Sequence, residues 1–139
     1  YIPRGGSLVL FEGPFTTDAN IPPTRAVLEW VQSSLLWEKT NRPSINLSVA
    51  DNNLTRTDSS PRLEVKVKNL SLERANNIEL TALVSDESGS IFAASKTFIT
   101  SLNSGDETQA VFIWPNPFTL NPVKIEVVTR LLPDQSYLR

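Results

Sequence analysis

From Pro43 onward apolar and polar residues alternate in short runs. Ile45, Leu47 and Val49 are separated by Asn46 and Ser48; Leu63, Val65 and Val67 by Glu64 and Lys66; Ile78, Leu80 and Ala82 by Glu79 and Thr81. A period of two predicts strands with one face in a core and the other in water. Asp86-Glu87-Ser88-Gly89-Ser90 supplies a turn and Ile91 to Ser95 returns from it, which predicts a hairpin. Thr97 to Thr100, Thr108 to Trp114 and Val123 to Arg130 complete seven short strands, with a polar turn around Asn103-Ser104-Gly105-Asp106. No helical pattern separates them, so the predicted fold is all-β: an immunoglobulin-like antiparallel β-sandwich over residues 43–133, with a tail at 134–139. It lacks the Cys…Trp…Cys spacing of antibody domains.

The ends of the chain resemble each other. Leu8 to Phe11 overlays Val111 to Trp114, and Pro14-Phe15 overlays Pro117-Phe118. With a gap of two, the stretch from Pro23 to Val31 overlays Pro122 to Val128, with Glu29 matching Glu126. This predicts an internal repeat in which residues 1–32 are the C-terminal strands of a partial second β unit that precedes the sandwich. Residues 33–42 then form a linker, and Trp37 within it is the candidate interdomain contact. The competing reading of Arg25 to Lys39 is a helix capped by Thr24, with Val27, Leu28, Val31, Leu35 and Trp37 partly accommodated on one face.

Composition narrows the function. Forty per cent apolar and 20% charged residues describe a globular chain, and 139 residues suffice for one domain with a sizeable core. Thirteen basic residues scattered among fifteen acids make no concentrated positive field, so nucleic acid is not an expected partner. The absence of Cys and His removes disulfides, thiolate metal sites and the usual general base near neutral pH. The chain begins at Tyr1 and contains no Met, so a processed or truncated piece is expected, with targeting and anchoring segments elsewhere.

Asp51, Asp58, Asp86 and Glu87 fall in predicted turns, where acidic side chains ordinarily cap their own backbone. Asp51-Asn52-Asn53 and Asp86-Glu87 are the candidate calcium ligands, but neither follows a loop pattern that calcium requires. No cofactor is expected. Glu29 and Glu126 alternate with apolar neighbours and are expected to face solvent or pair with a cross-strand Lys. Asn46, Asn53 and Asn69 each begin an Asn-x-Ser/Thr sequon. Trp30, Trp37, Trp114, Phe11 and Phe118 offer either a platform for stacking sugars or core packing, with packing favoured. Pro117-Phe118 follows a strand, where the proline stops the ladder and the ring closes the end of the core.

The combination FEGPF, IPPTRAVLEW, LWE, Asp58-Ser59-Ser60-Pro61-Arg62-Leu63, Asn76-Asn77-Ile78-Glu79-Leu80, Ala93-Ala94-Ser95-Lys96-Thr97-Phe98 and IWPNPF resembles surface proteins of small-genome candidate-phyla bacteria. Those are membrane-anchored chains of tandem immunoglobulin-like modules similar to the FxLYD and CARDB classes. The resemblance implies an extracellular or cell-surface location, with a membrane reached through an anchor outside these residues. It implies no activity and no catalytic residue. The expected function is a noncatalytic structural or adhesive module that meets a protein partner or a neighbouring repeat. Its alternatives are an accessory carbohydrate-binding module of a surface enzyme and a filament subunit assembling by strand donation, for which exposed strand edges give a route to oligomers.

Overall fold

The computed structural model describes residues 9–11, 25, 27, 29 and 45–132. By contacts the chain divides into two units, Tyr1–Phe11 with Ser44–Arg139, and Glu12–Pro43. Of the second unit Arg25, Val27 and Glu29 are described, and all three are exposed. Trp30, Trp37, the linker 33–42, the tail 134–139 and most of the preceding unit at 1–32 lie outside the described residues.

Six strands follow one another: β1 (Leu47–Thr55), β2 (Arg62–Asn69), β3 (Ala75–Ser85), β4 (Ile91–Leu102), β5 (Glu107–Ile113) and β6 (Lys124–Leu131). They form two three-stranded antiparallel sheets, β1-β2-β5 and β4-β3-β6, packed as a sandwich with no helix among the described residues. In the immunoglobulin scheme β1, β2 and β5 take the places of strands A, B and E, and β3 and β6 those of C and F. β4 lies beside β3. The place beyond β6, which strand G fills in the seven-stranded form, is held by no strand among the described residues.

The core follows the alternation. Leu63, Val65 and Val67 of β2 meet Ile78, Leu80, Ala82 and Val84 of β3, with Ala110 and Phe112 of β5 beside them, all buried. Phe112 is the largest side chain fully out of water. Two departures from the sequence reading have clear causes. Ile91–Ser95 and Thr97–Thr100, predicted as separate strands, are one continuous β4, paired with β3 through Lys96, which sits opposite Thr81. The polar residue that suggested a break lies on the outer face of an unbroken ladder. Asp51-Asn52-Asn53, predicted as a turn, is instead a β-bulge inside β1: the register on β2 shifts between Ala50 and Asn53, and Asp51 has a φ of 55°. The extra residue inverts the alternation, so Leu47 and Val49 before it and Leu54 after it all pack on the core. Asp and Asn tolerate positive φ, so a bulge and a turn call for the same residues.

At the end of β2 the fully buried Asn69 is a junction. Its Nδ2 donates to the carbonyls of Glu73 at 2.7 Å and Leu102 at 3.0 Å, while its Oδ1 accepts from the Ser71 amide at 3.0 Å. Its main chain extends the same web: the Asn69 amide donates to Asp106 O at 3.0 Å, and the Gly105 amide to Asn69 O at 2.9 Å. Gly105 makes that bond at a φ of 76°, a conformation favouring glycine. One amide side chain therefore joins β2, the β2–β3 loop and the end of β4, so the two sheets meet at a fixed spacing. Replacing Asn69 with Ala leaves the buried Leu102 carbonyl, the Glu73 carbonyl and the Ser71 amide without this partner, and should cost about 3 kcal/mol of stability in urea titrations. A loss below about 1 kcal/mol would show that the junction is dispensable.

Candidate functional site

The outer face of the β1-β2-β5 sheet is where the polar half of the alternation gathers. Arg62, Glu64, Lys66 and Lys68 of β2 stand opposite Ile113, Val111, Gln109 and Glu107 of β5. Beside them the β1 bulge turns Asp51 outward. Together Asp51, Asn53, Glu64, Lys66, Glu107, Thr108 and Gln109 line a shallow depression of about 380 Å³.

Its charges are engaged with one another. Lys66 Nζ lies 2.8 Å from Asp51 Oδ2. The hydrogen bond to Asp51, then the charges of Asp51 and Glu107, hold the Lys66 ammonium above its ordinary range. Glu64 is held from both sides, by Arg62 Nε on Oε1 and by Gln109 Nε2 on Oε2, each at 2.8 Å. With an ammonium kept protonated and a carboxylate bound at both oxygens, the depression is a hydrogen-bonding surface of mixed charge. It offers hydrogen-bond donors and acceptors to an approaching group.

The other candidates are placed elsewhere. Asp86 caps the β3–β4 hairpin: its Oδ1 accepts from Ser88 Oγ at 2.6 Å, Ser88 N at 2.9 Å and Ser90 N at 3.0 Å. The Ser88 hydroxyl foremost, with the turn amides, holds the Asp86 carboxyl below its ordinary value. Asp58 and Glu87 are exposed in turns. The proposed calcium residues Asp51 and Asp86 are thus each committed to protein partners, and among the described residues no cluster of three or more acidic side chains forms. Glu126 faces solvent, the first of its two expected placements, and pairs with Lys124 of its own strand at 3.2 Å. Two residues apart on one strand, the pair shares a face.

The sequons separate by burial. Asn46 and Asn53 are exposed, whereas Asn69 is the buried junction and has both amide hydrogens occupied. Trp114 and Phe118 turn inward. Trp114 is 8% exposed and its Nε1 donates to the Ala94 carbonyl of the opposite sheet at 3.0 Å. Phe118 meets Trp114 and Phe92 edge-on, with centroids 5.2 and 5.3 Å away, and closes the end of the core. Phe11 is half-buried, and its carbonyl accepts from Lys96 Nζ at 3.0 Å.

No protein-family model matches the chain, and no curated protein matches it. Among solved structures it is similar to a DUF1425 family member from Shewanella sp. pv-4, with a TM-score of 0.49 and 13% identity over 70% of this chain and 88% of that one.

One pair escaped the sequence reading. Glu79 and Thr81 occupy polar positions of the alternation, yet they are 5% and 2% exposed. β3 is the middle strand of its sheet, and Arg130 of β6 closes over Glu79 at 2.6 Å, directly across the ladder. Only the β3–β6 register brings these two charges together, and no local pattern marks it.

Two predictions follow from these groups. Glu79→Ala leaves Arg130 without its carboxylate and should cost about 3 kcal/mol, whereas the double change to Leu at both positions should be nearly neutral; equal losses in the two proteins would refute the pairing argument. Because the folded-state pKa of Asp86 is depressed, its stabilising effect is complete above the ordinary value of 3.8 and disappears as pH falls through the lower folded value. The urea-derived stability gap between the parent and Asp86→Asn should therefore hold steady from pH 7 to about pH 5 and close below about pH 2. A gap independent of pH would contradict this.

Proposed function

We propose that this sandwich is a noncatalytic structural or adhesive module of a bacterial cell-surface protein, serving as a spacer and presenting its outer sheet faces to a protein partner or neighbouring repeat. The observation that carries the reading is the commitment of its polar groups to architecture. Asp51, Glu64, Asn69, Glu79 and Asp86, which include the acids nearest to any chemistry, are each bound to groups of the sandwich itself. The sequence resemblance to anchored tandem modules supports the location and array. The inward-facing Trp114 and Phe118 weigh against the sugar platform at those positions.

A second reading, assembly through strand edges, is favoured by β6, which pairs with β3 and has no neighbour on its other side among the described residues. A glycan array probed with the intact chain separates the module from a carbohydrate binder. No saturable binding is expected, and selective binding to one glycan class would overturn the proposal.

A further inference from the structure

Among the described residues the sandwich is tied by hydrogen bonds along one seam and not along the other. Between β4 and β5, Trp114 Nε1 donates to the Ala94 carbonyl at 3.0 Å and Ser95 Oγ to the Ile113 carbonyl at 3.3 Å. On the opposite side, Leu47 and Val49 of β1 and Ile125, Val127 and Leu131 of β6 pack on the core but stay half-buried. The core-facing residues of β2 and β3, by contrast, are no more than 1% exposed. The untied seam is where a further strand beside β6 would lie. β6 runs for eight residues without proline, and its ladder to β3 has no register shift, so neither a bulge nor a proline blunts this edge.

The edge has a defined hydrogen-bonding phase. The Leu132 amide donates to the Asn77 carbonyl at 2.9 Å, and that pair continues the β3–β6 register. Even-numbered residues of β6 therefore turn their peptide groups toward β3. Ile125, Val127, Thr129 and Leu131 turn theirs to the open side.

We propose that this edge pairs antiparallel with β6 of a second copy of the chain, about a two-fold axis normal to the sheet that passes beside Val128. In that register Ile125 lies opposite Leu131 of the second copy and Val127 opposite Thr129, as the hydrogen-bonded pairs on the core face. On the outer face Val128 meets Val128 and Glu126 meets Arg130, as the closer non-hydrogen-bonded pairs. A slip of one residue sets core face against outer face. A slip of two sets Lys124 against Arg130 in one direction, and in the other sets Glu126 against Leu132. The register that keeps the faces matched and opposite charges together is thus the one through Val128.

The two charges are suited to it. Arg130 gives one guanidinium nitrogen to Glu79 at 2.6 Å, while its Nε is buried without an acceptor. Glu126 is held by the exposed Lys124 at 3.2 Å, a solvated pair that exchanges at little cost. A carboxylate arriving at the edge gives the Arg130 guanidinium a second acidic neighbour. This inference rests on reading the domain as an interaction module and names a partner for it.

Cross-linking tests the register, since the chain has no cysteine of its own. In the full chain, Val128→Cys should oxidise to a covalent dimer, because facing non-hydrogen-bonded positions meet disulfide geometry. Glu126→Cys, on the same face, should cross-link at least about tenfold more slowly, since its counterpart across the axis is Arg130. Glu126→Arg, at an exposed position that leaves the core untouched, should weaken dimerisation about tenfold in sedimentation by setting like charges opposite each other twice. Thr129→Pro removes an outward N–H that β3 does not use, and should abolish the dimer with strand content retained by circular dichroism. A monomeric Val128→Cys, equal cross-linking at 126 and 128, or a dimer indifferent to Glu126→Arg would overturn the proposal. Glycan binding by the chain would overturn the module reading while leaving the cross-linking result standing, so the two fail separately.

Discussion

The buried side chain of Asn69 sets the spacing on which the rest of the sandwich depends. A primary amide removed from water must find partners for both its hydrogens and its oxygen, and here they come from three residues in two segments: Ser71 and Glu73, and Leu102. Those segments belong to the β2–β3 loop and to the end of β4, so satisfying one residue places one sheet against the other. The apolar residues fill the space so defined. Hydrophobic burial supplies most of the driving force but is indifferent to direction, whereas the amide fixes which loop sits where.

At the far end of the core a second polar tie works in the same manner. Trp114 buries its ring between the sheets and sends its N–H to Ala94 of β4, while Phe118 and Phe92 pack its flank. The two ties hold the β4 side of the sandwich shut. The β1–β6 side has no such tie among the described residues. The proposed pairing rests on this asymmetry: among the described residues the β4 side carries hydrogen bonds between the sheets, and the β6 edge carries no strand neighbour.

Much of this was legible in the residues. The strict alternation of Leu63, Val65 and Val67, and of Ile78, Leu80 and Ala82, located β2 and β3 because half-buried strands impose a period of two. Phe118 after Pro117 was readable as a plug, and Asp86 as a turn cap, because both effects are local. The bulge at Asp51 was read as a turn because positive φ selects the same side chains in either setting. The continuity of β4 through Lys96 was hidden because a polar residue on the outer face of a strand looks like an interruption. Asn69 looked like a glycosylation site, and the Glu79–Arg130 pair did not show at all. Both depend on partners 33 and 51 residues away, set by the packing of the sheets and the register of the ladder rather than by neighbours in sequence. The surface depression around Lys66 was likewise beyond the sequence, since it needs three strands side by side.

Asn69 locks loops as firmly as the ladders lock strands, and residue-resolved amide hydrogen exchange measures this. The Gly105 and Ser71 amides, which lie outside the strands but bond to Asn69 O and Oδ1, should exchange as slowly as those of β2 and β3. Exchange of Gly105 and Ser71 at the rate of exposed loop amides, with β2 and β3 still protected, would contradict it.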